Sequence, residues 1–212
     1  MSKGRLEAFS DGVFGVAITL LILDVRPEGG GTGWDMLLHQ WHHIFVFLLS
    51  FVIVGVRWVI HHHITYFITG TDRVLLWLNL LVLLFIVFIP YVATLLSATH
   101  EDAASIRIYA VTLILVNLSG NIFWLYATWH HRLVSPALPE PFIRFVLFLR
   151  CAPILVYSVA IAVAAWLPGL SLALFVVEPV FYILPNPWLE RHLHEVQKAV
   201  RAHEKKHKPE LE

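Results

Sequence analysis

Charge is scarce in this sequence: of its 212 residues 14% are Asp, Glu, Lys or Arg, whereas 58% are apolar. Soluble domains typically carry roughly 25% charged and about 45–50% apolar residues. A water-soluble fold cannot hide that much apolar surface. Cysteine is almost absent. Cys151 stands alone within an apolar run, which excludes both an intramolecular disulfide framework and a thiolate metal site. Net charge is zero, with 15 basic and 15 acidic residues, so the clustered basic face of a nucleic-acid-binding protein is missing. No Gly/Ser-rich linker and no convincing internal repeat divides the chain, and its one long charged stretch is the tail from Glu190 to Glu212.

What is present is a succession of long apolar runs. A helix rising about 1.5 Å per residue needs roughly 20 such residues to cross the hydrocarbon core. Runs of about this length predict six transmembrane helices, at Leu6–Val25, Trp41–Ile60, Val74–Ser97, Ile106–Ala127, Phe142–Trp166 and Leu170–Leu184. The expected fold is therefore all-α and membrane-embedded, with a transmembrane domain over residues 1–187 and a basic cytoplasmic helix or tail over residues 188–212. The last run is short, and Pro168-Gly169 before it leaves open a tight hairpin, a kink or a re-entrant segment. No small-residue cleavage site follows the first run, so that helix is expected to stay in the mature chain.

Lys and Arg are retained on the cytoplasmic side of membrane proteins. With the N-terminus inside, Lys3, Arg5, Arg57, Arg73, Arg132, Arg144, Arg150 and the basic tail lie at or near the inner face, and only Arg26 and Arg107 fall outside. Both termini are expected in the cytoplasm.

An ionisable side chain within a span costs about 2.5–3.5 kcal/mol on insertion scales, so each one asks for a partner or a function. Asp11 lies in the first span, and Trp58, His61 and Asn79 fall at similar depth in the second and third. A cluster is predicted in which imidazole and amide N–H groups donate to the Asp11 carboxylate, either locking three helices together or setting the angle of the first. A second pairing is predicted between Arg150 and Glu178, near Asn117 and Asn121. That pair is either a structural ion pair or the working site of a proton-coupled secondary transporter. Histidine is abundant, with His61, His62, His63, His130 and His131 inside and His39, His42 and His43 outside. A histidine-liganded membrane metalloenzyme would need these to converge. Adjacent histidines on a helix diverge and the outer group lies across the bilayer, so no metal site is expected.

Val16, Leu20 and Leu23 recur at spacings that share one helix face, with Thr19 beside them. Ala8, Gly12 and Gly15 are small residues that permit close helix approach. Such a stripe faces lipid in most helices. Around a shared axis, however, it would form a hydrophobic constriction, with Asp24 ringing the outer mouth.

These residues carry a family resemblance. Arg5-Leu6-Glu7-Ala8-Phe9-Ser10-Asp11 matches the R-x-x-x-F-S-D signature of the transmembrane protein 175 family, the lysosomal potassium channel and its prokaryotic relatives. Trp58-Val59-Ile60-His61-His62 resembles the family's Trp-x-x-His-His, and Asp72-Arg73, Leu75 through Asn79 and Ile89-Pro90-Tyr91 resemble its third helix. The second half matches in length and helix count only, which suits the single-repeat, six-helix prokaryotic form. The resemblance implies a homotetramer in the prokaryotic plasma membrane, surrounded by lipid, that passes potassium and other monovalent cations without a cofactor or a catalysed reaction. It implies a pore lined by the first helix and narrowed at Val16, Leu20 and Leu23, where the family's innermost residue is usually longer than valine. It places Thr19 at a position linked to selectivity, and Arg5, Phe9, Ser10, Asp11, Trp58, His61 and Asn79 in a structural network at the cytoplasmic end of the pore helix.

Overall fold

A computed structural model of the chain describes residues 2–26, 32–100, 102–184, 193, 195–200 and 202. The described chain is all-helical apart from loops. Helix α1 spans Lys3–Leu20 and runs on as a 3-10 turn, Leu21–Asp24; α2 is Gly33–His39, α3 Trp41–Tyr66, α4 Arg73–Ala98, α5 Ala103–Thr128, α6 Glu140–Val163 and α7 Pro168–Ile183. Five of these helices are long and apolar enough to cross a membrane, while α7 is an apolar helix of 16 residues. At about 1.5 Å per residue α7 is roughly 24 Å long, short of a hydrocarbon core of about 30 Å. It starts directly at Pro168, because a ring-locked φ suits the first helical turn.

Local chemistry fixes where the helices start. Asp72 accepts from the Leu75 N–H at 2.8 Å and Asp102 from the Ser105 N–H at 2.7 Å, capping α4 and α5. Thr32 and Asp35 form a capping box on α2, a helix too short to be legible from apolar periodicity. Left-handed backbone at His130 and His131 (φ 49° and 53°) turns the chain out of α5. The α3–α4 and α5–α6 loops are then tied together: the Thr69 N–H donates to the Leu133 carbonyl at 2.8 Å, the Tyr126 hydroxyl to Asp72 at 2.5 Å, and Arg132 pairs with Asp72 at 3.4 Å. Burial acts to raise the Asp72 pKa, but the Leu75 N–H, Tyr126 and Arg132 together hold it below the ordinary value.

Helix α5 forms the centre, packed between α4 and α6, while α7 leans on α6 and α3 and α1 rests on α3 and α4. Burial follows that order: 61% of the apolar window of α5 is enclosed, against 28% for α1 and 17% for α6. Since lipid is as apolar as the side chains, close packing and satisfied polar groups hold such a bundle together. Tyr109, fully buried on α5, shares a 2.8 Å hydrogen bond with Ser50 of α3.

Two expectations need correction. Helix α3 continues six residues past the predicted end at Ile60, to Tyr66. Arg57 therefore lies about 14 Å inside the helix end, and both Arg57 and Arg150 are buried. Neither is a loop charge, so the orientation signal rests on Lys3, Arg5, Arg73, Arg132 and Arg144 against Arg26 and Arg107. The predicted tail, residues 188–212, lies largely outside the described residues, although residues 195–200 are helical.

Candidate pore helix and its polar supports

Helix α1 has two unlike faces. Leu6, Ser10, Phe14 and Ala17 are buried, and Leu21 extends that stripe into the 3-10 turn. Their spacings of three and four residues draw one line down the helix, which seats it on α3 and α4. The other face is bare. Val16 is 56% exposed, Leu20 38% and Leu23 61%. In 3-10 geometry residues three apart eclipse, so Leu23 stands directly over Leu20. Gly12 and Gly15 lie on this same open face, where an added Cβ would meet nothing within 4 Å. Their notch is turned away from the rest of the subunit. Thr19 is exposed beside it and donates to its own backbone, at 3.1 Å to the Gly15 carbonyl and 2.9 Å to that of Val16. The side chain of Asp24, expected at the outer mouth, lies outside those described.

Two polar contacts pin the N-terminal half of α1. The Asn79 amide of α4 donates to the Ser10 hydroxyl at 3.0 Å, and the Trp58 indole N–H of α3 donates to Asp11 at 2.8 Å. The donor on Asp11 is thus an indole, not the expected imidazole or amide, because Asn79 is spent on Ser10. His61 makes no hydrogen bond to Asp11. It is buried between the rings of Phe14 and Phe123, each centroid 5.6 Å away. Arg5, Phe9 and Asp11 are all exposed, so the signature divides: Ser10 is buried against Asn79, Asp11 lies at the surface within reach of Trp58, and Arg5 and Phe9 lie on the open side of α1.

A second cluster lies among α3, α5, α6 and α7. Arg57 donates at 2.6 Å to Glu178, at 2.9 Å to Asn117 and at 3.4 Å to Tyr157, and Tyr157 donates at 3.0 Å to the other oxygen of Glu178. The partner of Glu178 is therefore Arg57, not Arg150 as expected from depth along the spans. Arg150 instead donates to Asn121 at 2.8 Å. Gly120 makes room for it, since a Cβ there would fall on the guanidinium. Arg57 Nε and His61 Nε2 have no hydrogen-bond partner among the described residues. Both side chains border one cavity of about 20 Å³.

His62 and His63 are exposed, and His63 bonds the Val59 carbonyl of its own helix at 2.7 Å. Among the described residues no three His, Cys, Asp or Glu side chains come together in a metal-binding arrangement.

Fold and site define a polytopic α-helical membrane protein whose first helix is packed on one side only. The sequence profile of the family described as the endosomal/lysosomal potassium channel TMEM175 matches residues 5–90. A potassium channel of Streptomyces collinus is 37% identical over 149 residues, which make up 67% of this chain and 72% of that one. A potassium channel of a Chryseobacterium strain is 25% identical over 199 residues, 92% of this chain and all 100% of the relative. The crystal structure of a lysosomal potassium-selective channel TMEM175 homolog from Chamaesiphon minutus shares the fold with a TM-score of 0.75 at 27% identity, over 86% of this chain and 96% of that one. This chain belongs to the TMEM175 family, a family of ion channels and not of enzymes. The shared fold takes in the second half of the chain, where the sequence resemblance stopped at helix count.

Proposed function

We propose that the chain is one subunit of a homotetrameric, potassium-permeable channel of the cell membrane, with both termini in the cytoplasm and α1 of each copy lining the pore. The observation that carries this reading is the bare face of α1. It gathers Val16, Thr19, Leu20 and Leu23 with an open glycine notch on the side of the helix that its own subunit leaves uncovered. Small residues let neighbouring backbones approach closely. Four such faces around an axis would set rings of Val16, Leu20 and Leu23 across the path, a constriction that gates by dewetting. Thr19 spends its hydroxyl proton on its own backbone, which leaves oxygen lone pairs for a passing cation. Conduction is passive and leak-like, with potassium as the permeant ion and no cofactor. The Ser10–Asn79 and Asp11–Trp58 contacts set the tilt of α1 and hence the bore.

The buried carboxylate supports no transporter reading of its own, because Glu178 is already engaged by Arg57 and Tyr157. The test has two parts: the mass of the protein in lipid nanodiscs and potassium flux from liposomes. Four copies and flux above that of empty vesicles are expected; a monomer, or flux no greater than the empty control, overturns the proposal.

A further inference from the structure

Among the described residues the buried charged side chains do not balance. Arg57, Arg150 and Glu178 are all at least nine-tenths buried, and Glu178 is bonded to Arg57 and Tyr157. Arg150 gives its Nε to the neutral Asn121, and no carboxylate among the described residues lies within ion-pair distance of it. Arg150 also lines a cavity of about 400 Å³ bounded by α3, α6, α7, Trp124 and Leu193, while one of its terminal nitrogens lies against Gly120. The rest of that wall is dominated by apolar side chains, among them Ile64, Phe142, Val146, Leu149 and Phe181. This size and lining are those of small-molecule sites, which run from about 300 to 1,000 Å³ and place a few polar groups in apolar walls.

We infer that this cavity binds a single-chain amphiphile with an anionic head group, its anion on the Arg150 guanidinium and its chain along the apolar wall. A buried guanidinium gains most from a carboxylate that accepts two of its N–H groups, and a buried charge without a counter-charge is costly. The chain is needed because a small anion would leave most of the cavity unfilled. Glu178 cannot serve Arg150 in place of a ligand while it holds Arg57. The inference does not rest on the pore reading, and its test measures binding without flux.

The full chain in phosphatidylcholine nanodiscs is dialysed against labelled dodecanoate, with empty nanodiscs as the partition control. Saturable binding of one dodecanoate per subunit is expected. Dodecanol, with the same chain and no charge, and Arg150→Gln protein should each bind about tenfold or more weakly, the loss expected for a charge-assisted hydrogen bond. Acetate at the same concentration should not compete. Because Arg150→Gln also disturbs Asn121, Val146→Trp serves as a second variant: it fills the cavity, leaves every charge in place, and should abolish saturable binding. Dodecanol binding as tightly as dodecanoate, competition by acetate, or full binding by Val146→Trp protein overturns the proposal.

Discussion

Arg57 and Trp58 are neighbours on α3, yet they point into polar clusters of opposite kind. Trp58 reaches out to α1 and holds Asp11 at the edge of the bundle, where the indole is itself 39% exposed. Arg57 reaches inward to Glu178, Asn117 and Tyr157, all buried. This outer cluster consists of one buried neutral contact between Ser10 and Asn79 and one exposed charge-assisted contact between Asp11 and Trp58, and the exposed one can be remade at small cost. The inner cluster is ionic and dry, and breaking it strands a charge. The contrast separates a stiff frame, α3 with α5, α6 and α7, from α1, whose two polar contacts to α3 and α4 include no buried ion pair.

The sharpest way to break that contrast is Glu178→Gln, which leaves Arg57 buried without its counter-charge. Removing one partner of a buried pair costs about 3–5 kcal/mol, so thermal unfolding in detergent should show the largest loss of any single change considered. Replacing Arg57 and Glu178 together with methionine should lose far less, and a wild-type midpoint for Glu178→Gln would dismiss the stiff frame. Gly120→Ala comes next. Its new Cβ must displace the Arg150 guanidinium, an overpacking effect of about 1–3 kcal/mol in the same assay. On the outer cluster, Trp58→Phe removes a single partly exposed N–H donor and should cost about 1 kcal/mol or less. Potassium flux should change more clearly than stability, and a variant with altered stability but unchanged flux would detach this contact from the pore.

The smallest effect is expected at the α3–α4 loop. The Asp72 pKa is held below its ordinary value of 3.8, so its ionised form is favoured by folding. That contribution is complete above the ordinary value and disappears as pH falls through the depressed one. Acid titration of the unfolding midpoint should show this loss in the wild type and not in Asp72→Asn, while leaving the two buried clusters to dominate at neutral pH.

Composition and apolar run length made the fold class and the approximate helix positions legible, since few other folds accommodate so little charge. The exposed stripe of α1 was legible too, because side-chain spacing on a helix follows directly from sequence. Pairing was harder. Depth along a span placed Arg150, Glu178 and Asn121 together correctly as a layer, but depth says nothing of which face each side chain occupies. Arg57 is not legible as the partner of Glu178, because the run of histidines after it reads as an interface and in fact continues the helix to Tyr66. Depth groups Asp11 with Trp58 and Asn79 but does not tell which of them donates to it, since Asn79 faces Ser10, one position away. For Arg150 the available signal is Gly120, a small residue beside its partner Asn121, whose meaning emerges only once Arg150 is placed on the neighbouring helix.

Potassium efflux from liposomes, compared for the wild type and for polar substitutions at Val16 and Leu20, tests the central claim most directly. A pore narrowed by α1 predicts efflux above empty vesicles and a marked rise with Val16→Asn or Leu20→Asn, since each 1.4 kcal/mol taken from a dewetting barrier is worth about tenfold in rate. Efflux indistinguishable among the wild type, both variants and empty vesicles would contradict it, as would variants that fold and assemble normally yet conduct like the wild type.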